Sequence, residues 1–321
     1  MINVKSTTIR EATGSKKKNP FYKQRGFHLF LMILPFIVLV FMLSYLPLFG
    51  WSYAFFNFRP GQPLTMDRFV GFHHFTSMFM DPFVFEDIVR VLQNTFAMSL
   101  LGIAGSPLPL IFAMFLAEIK FSSVKRIVQT VTTIPNFISW VLIYAVAFSM
   151  FSVGDGFVNR LLISLGVIDS GINFLASPNN VWITMWGYST WRSLGWGAII
   201  YFAAIAGIDQ EQYDAAKVDG AGRFSIMRHI TLPGLMPTYF VLLILSIANF
   251  LNNGMEQFFV FQNPMNRARI EVLDLFVFNQ GMASIHVSFA TAVGIFRSLV
   301  SIVLLFVANG LSKIFRDETI F

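Results

Sequence analysis

Long apolar runs, each near the ~20 residues a helix needs to cross a bilayer, alternate along the chain with shorter polar segments. The runs fall at about 27–49, 90–117, 127–151, 181–208, 236–259 and 288–312. Inside a bilayer the backbone must satisfy its own hydrogen bonds, so such runs are expected to be helical. The pattern predicts an all-α membrane protein with six transmembrane helices over 27–312, a basic tail at 1–26 and a short tail at 313–321. Gly105, Pro107 and Pro109 in "GIAGSPLPL" interrupt the second run, which predicts a kinked helix in the interior of the bundle.

The linking segments are read from their breakers. Residues 1–20 hold few large apolar side chains and are expected to be disordered. Segment 50–89 carries the turn signals "RPGQP" and "MDPF". The amphipathic "VNRLLISLGVI" within 152–180 predicts a helix lying at the membrane surface, and 260–287 is again partly amphipathic.

Composition supports the membrane assignment. The 321 residues are 55% hydrophobic and 12% charged, where a soluble domain has about 25% charged residues. The basic residues also fix the expected orientation. With both termini inside, 15 Lys and Arg fall on the cytoplasmic side and six outside: Arg59, Arg68, Arg90, Arg160, Arg267 and Arg269. The positive-inside rule therefore predicts cytoplasmic termini. This asymmetry accounts for a pI near 9.6, so no nucleic-acid partner is called for. The first run is too long for the ~7–15-residue apolar core of a signal peptide and is expected to stay attached. The preceding "KKKNPFYKQR" reads as a basic anchor.

Several chemistries lack their parts. There is no cysteine, which excludes disulfides and thiolate ligands. No G-x-x-x-x-G-K-[ST] loop is present, so the chain is not expected to be an ATPase, and no catalytic or metal site is assigned. The five histidines do not form H-E-x-x-H. No Asp or Glu falls at the centre of a run, where proton-coupled carriers place their relays.

One polar insert stands out, "EQYDAAKVDGAGRFSIMRHITLPGLMP" at 211–237. "EQYDAAKVD" predicts a helix stopped at Gly220, and a second short helix is expected over 222–230, ended by Leu232-Pro233. Two such helices have no core of their own and persist only by packing against the bundle or a partner. Spacing alone leaves a partner-docking element and a capped loop equally open.

The insert resembles the EAA loop of the membrane permeases of binding-protein-dependent ABC importers. Asp214-Ala215-Ala216, Asp219-Gly220-Ala221 and Ile230-Thr231-Leu232-Pro233 follow that pattern in order and spacing, with Asp214 in place of the usual Glu and Met227 where many members have Phe. "YLPLFGWSYAFFNF", "WRSLGWGAIIYFAAIAGID" and "FATAVGIFRSLVSIVLLF" extend the resemblance over about 27–315, to sugar permeases that import oligosaccharides, including uronates such as alginate. The resemblance implies a bacterial inner-membrane subunit that pairs with a second permease. It further implies two ATPase subunits, which bind ATP and Mg, and an extracytoplasmic binding protein that delivers the oligosaccharide. Segment 209–235 would then be the coupling element.

For the sugar path, the fourth run offers Trp182, Trp186, Trp191 and Trp196 with Tyr188, whose flat faces suit sugar C–H surfaces. Asn249, Asn252, Asn253 and Glu256 recur at helical spacing, predicting one polar face. Arg192 lies near mid-membrane and Arg297 is shallower. Each is either a clamp between helices or a partner for an anionic sugar, and without nearby acids both are expected to be unpaired. A secondary carrier or channel acting alone, or a membrane-embedded glycan enzyme, are the rival functions.

Overall fold

The computed structural model describes residues 25–316, so the expectation of a disordered tail lies outside the described residues. The chain divides into two compact units, Met1–Trp51 and Ser52–Phe321. In the first, α1 (Arg25–Val40) runs through a π turn at Phe41–Tyr45 into a 3₁₀ segment, Leu46–Phe55, whose end crosses into the second.

In the second unit, α2 (His73–Met80) leads to α3 (Pro82–Gly105), which Asp81 caps by accepting hydrogen bonds from the Phe83 and Val84 amides at 3.0 and 3.4 Å. After a one-residue interruption at Ser106, within the Gly-Pro cluster, the chain continues as α4 (Pro107–Ala117), giving one span from Pro82 to Ala117. Then follow α5 (Ser122–Thr133), α6 (Trp140–Phe151), the short surface helix α7 (Phe157–Ser164), α8 (Val181–Ala206), α9 (Gln210–Val218), α10 (Arg223–Ile226) and α11 (Leu232–Ala248). Three short helices, α12 (Glu256–Phe261), α13 (Arg267–Ile270) and α14 (Leu273–Phe278), precede the long α15 (Val287–Arg316).

Four helical stretches are long and apolar enough to cross a membrane, and two bent pairs raise the number to six if each is one span. The third run is not the straight span 127–151 that its apolarity suggests. It bends by 104° between Phe137 and Trp140. Pro135, in a 3₁₀ turn, cannot carry the helical ladder on, and Ser139 caps a fresh helix by accepting from the Leu142 amide at 3.4 Å.

Small residues set the closest helix contacts. A Cβ on Gly195 of α8 would lie 2.3 Å from the Thr132 carbonyl oxygen, so the α5–α8 approach requires glycine there. Nearby, α4, α8 and α11 share a core of Leu110, Ala113, Ala198, Tyr201 and Leu235. A second core under α6, α8 and α12–α14 holds Trp140, Met185, Phe261 and Leu275.

Candidate functional site

The polar segment 209–235 follows directly from α8. Asp209 caps α9 by accepting from the Glu211 amide at 3.0 Å, and α9 leaves α8 at an angle of 74°. Lys217 bonds Asp214 at 2.9 Å, and this contact holds the exposed Asp214 carboxyl below its ordinary value of 3.8. The helix closes on Gly220 at φ +75°, where the amides of Gly220 and Ala221 reach back to the carbonyls of Lys217 (3.1 Å) and Ala216 (2.9 Å).

The sequence expectation fails past this turn. Leu232-Pro233 does not end the second helix: α10, a π turn at Met227–Thr231 and α11 form one helical stretch from Arg223 to Ala248. Pro233 directly follows the π turn, whose change of register accommodates the missing N–H within the continuous stretch. Two contacts tie the segment to the bundle: Tyr213 Oη with Thr231 Oγ1 at 3.1 Å, and Arg223 with Glu118 at 3.9 Å. Met227 is buried in the core with Leu110 and Leu235. Asp214, Ala215, Asp219 and Gly220 are exposed, and Ala216 and Ala221 are half-buried. Sequence reasoning overlooked Val218 and Phe224, 88% and 70% exposed, which make this polar segment partly apolar on its outside. They were missed because a single Val or Phe in a polar run gives no periodic signal.

Within the spans, two adjoining cavities of about 480 and 310 Å³ form one groove between α3–α4, α8 and α11, sharing Gly102, Trp186, Ser189, Ser246 and Asn249. Ser106 Oγ and Tyr239 Oη meet at 3.1 Å on its wall, while Trp186 Nε1 is buried there without a hydrogen-bond partner. Gly105 makes room for that indole, since a Cβ would lie 2.8 Å from Nε1. Hydroxyls, amides and aromatic faces together suit a polyhydroxylated ligand.

The structure places the sequence candidates differently from expectation. Asn249, Asn252, Asn253 and Glu256 do not share a helix face, because α11 stops at Ala248, Asn249 caps it, and Gly254 turns the chain at φ +72°. Short polar side chains that bond their own backbone favour that stop: Asn249 Nδ2 donates to the Leu245 carbonyl at 2.9 Å. The three asparagines still line the groove, and Gln257 joins them while Glu256 opens α12. Trp191 lies away from the groove, in an apolar cavity with Ile138, Leu142 and Tyr188. Arg192 grips the elbow of the third run, donating to the Ile138 and Asn136 carbonyls at 3.2 and 3.1 Å over the Trp140 ring.

Arg297 is not unpaired either. It bonds Asp274, which also accepts the Gly254 amide at 2.9 Å. The expectation failed because the loop between α11 and α15 folds two of its acids, Glu271 and Asp274, back into the bundle. Glu271, 1% exposed, likewise meets Arg90 at 3.1 Å and Asn279 at 2.8 Å. A signal for the groove wall was present in α8, where Trp186, Ser189, Ser193, Gly197 and Tyr201 recur at helical steps as small or amphipathic residues.

Residues 105–318 match the family described as "Binding-protein-dependent transport system inner membrane component". Protein LplB of Bacillus subtilis (strain 168) is 38% identical over 294 residues, covering 91% of each chain. The polygalacturonan/rhamnogalacturonan transport system permease protein YteP of the same organism is 36% identical, covering 92% of this chain and 90% of its own. Among solved structures, a bacterial ABC transporter involved in the import of the acidic polysaccharide alginate has a chain that superimposes with a TM-score of 0.80 at 29% identity, over 91% of this chain and 97% of that one. The same transporter type in complex with alginate pentasaccharide-bound periplasmic protein gives 0.81 at 28%, over 92% and 97%. Helices long enough to span a membrane, a polar groove among them and these relatives agree that the chain belongs to the family of inner-membrane components of binding-protein-dependent transport systems.

Proposed function

We propose that the chain is a permease subunit of an ABC importer for an acidic oligosaccharide and forms part of its translocation path. One observation carries the reading: α8 both lines the polar groove, through Trp186, Ser189 and Ser193, and turns directly into the exposed segment 209–235. A displacement imposed on that segment is therefore transmitted to the groove wall by one rigid element.

In this reading 209–235 is the EAA coupling loop. Asp214, Ala215, Ala216, Asp219, Gly220 and Ala221 face a separate ATPase subunit together with Val218 and Phe224, while Met227, Leu232 and Pro233 anchor the loop to α11. Two ATPase subunits bind ATP and Mg, a second permease completes the path, and a binding protein delivers substrate from outside. Support for an acidic substrate comes from the polygalacturonan and alginate systems to which the chain is similar. Arg192 and Arg297 do not add to it, since both have partners within the chain.

Reconstitution of the chain with its ATPase subunits, second permease and binding protein tests the proposal. Expected are ATP hydrolysis stimulated by binding protein loaded with oligogalacturonate, and none from the chain alone. Uptake of the oligosaccharide by the chain without any ATPase would overturn the reading in favour of a carrier.

A further inference from the structure

A third cavity shares no lining residue with the groove. The segment after the first span folds onto the start of α15, where the Phe58 amide donates to Ser288 Oγ at 2.9 Å across 230 positions of sequence. An antiparallel bridge between Phe56 and Phe69 closes the same segment. Between them opens a space of about 640 Å³ whose lining includes Arg59, Gln62, His74, His286 and Phe289, and no acidic residue.

Three features make this more than a gap between loops. Arg59 is exposed and its guanidinium has no ion-pair partner among the described residues. His74 Nε2 is shielded from water and has no hydrogen-bond partner, and burial, then the neighbouring His73, hold that ring below its ordinary pKa. Ile285 takes φ +58°, among the described residues the only one besides glycine with a positive φ. A β-branched residue there is strained, and such strain persists where the surrounding structure imposes it. The next residue, His286, is held by its amide, which donates to the Gln280 carbonyl at 2.8 Å, and by its Nδ1, which meets Gln280 Oε1 at 3.3 Å.

We propose that this cavity binds a carboxylate. The guanidinium fork of Arg59 supplies positive charge, the imidazole rings add N–H donors, and no acidic residue lines the cavity to neutralise that charge, which is the chemistry of carboxylate capture. A transition metal fits less well, because no group of three His, Asp or Glu is placed to hold one among the described residues. That the cavity faces outward rests on the permease reading with cytoplasmic termini. Two sources then supply the group: a uronate of the incoming saccharide, or an acidic side chain of the binding protein.

Calorimetry on the purified full chain, alone and in its assembled complex, distinguishes them. The probes are digalacturonate, its neutral counterpart digalactose, and the binding protein, each with wild type, Arg59→Gln, His74→Gln and a distant control, Arg160→Gln. A uronate site is expected to lose about tenfold in digalacturonate affinity in both cavity variants but not in the control, with digalactose unaffected. A protein carboxylate would instead leave digalacturonate unbound by wild type, while docking of the binding protein weakens about tenfold in the same variants. Arg59 is exposed, so its variant keeps the test valid if His74→Gln does not fold. If neither probe responds to Arg59→Gln, the proposal is overturned. Failure of the wild-type chain to assemble with ATPase subunits would instead overturn the permease reading, leaving digalacturonate binding to the chain alone as an independent result.

Discussion

Two arginines within the spans show how a residue type differs from its role. A cation in the bilayer core is costly and needs a partner or a wet cavity; Arg192 finds carbonyls and Arg297 finds Asp274. Side chains of Arg297 and Asp274 are 26% and 12% exposed, so removing one leaves a largely buried charge uncompensated. Arg297→Gln is therefore expected to destabilise the chain by about 3–5 kcal/mol, and adding Asp274→Asn to restore much of the loss. Arg192→Gln should lower stability less, since Gln keeps a donor for one carbonyl. Neither variant should alter the preference between acidic and neutral saccharides. Thermal unfolding in detergent checks the first part and competition uptake the second. A selective loss of acidic substrate by either single variant, with unchanged stability, would return that arginine to the substrate path.

At the scale of elements, the Gly220 turn decides how α9 meets the helix that follows. A Cβ on Gly220 would meet nothing within 4 Å, so the demand for glycine is conformational, from φ +75°. Gly220→Val is expected to cost about 1–2 kcal/mol in the turn and to weaken ATPase docking or substrate-stimulated hydrolysis while leaving membrane insertion intact. Gly220→Asn, which tolerates that conformation, should retain most activity. Wild-type coupling by a well-expressed Gly220→Val would remove the turn from the coupling role.

This turn was legible in the sequence, as were the helix interruption between Gly105 and Pro107 and the short helix around Arg160, because each is set by residues within one or two turns of itself. The elbow at Phe137–Trp140 was not, since Arg192 stabilises it from more than fifty residues away. Nor was the early end of α11, where a continuing helical period in Asn249, Asn252 and Asn253 outweighed the turn signal of Gly254. The groove was half legible: its asparagines were identified, but four tryptophans in one helix do not say which face is covered, and Trp186 lines the groove while Trp191 does not.

For the whole molecule, the number of crossings remains the property from which every other placement follows, and the bent third run is where it turns. If Ser122–Phe137 and Trp140–Phe151 together cross the membrane, residues 152–180 lie outside and 209–235 lie inside with Phe121. If the 104° bend instead returns the chain to the side it came from, Leu165 stays with Phe121, and the next crossing puts Val218 outside, where no ATPase can reach it. The distribution of Lys and Arg favours the first arrangement, with 15 inside and six outside. The absence of cysteine makes the chain its own background for a direct measurement. Met66, Phe121, Leu165 and Val218 are all well exposed, at 81%, 74%, 66% and 88%, so a single cysteine at each should be tolerated and open to reagent. With an impermeant maleimide on intact spheroplasts, Met66→Cys and Leu165→Cys are expected to label at once, and Phe121→Cys and Val218→Cys only after permeabilisation. Labelling of Val218→Cys from outside, with Leu165→Cys protected, would make the elbow a re-entrant loop and separate segment 209–235 from any cytoplasmic ATPase.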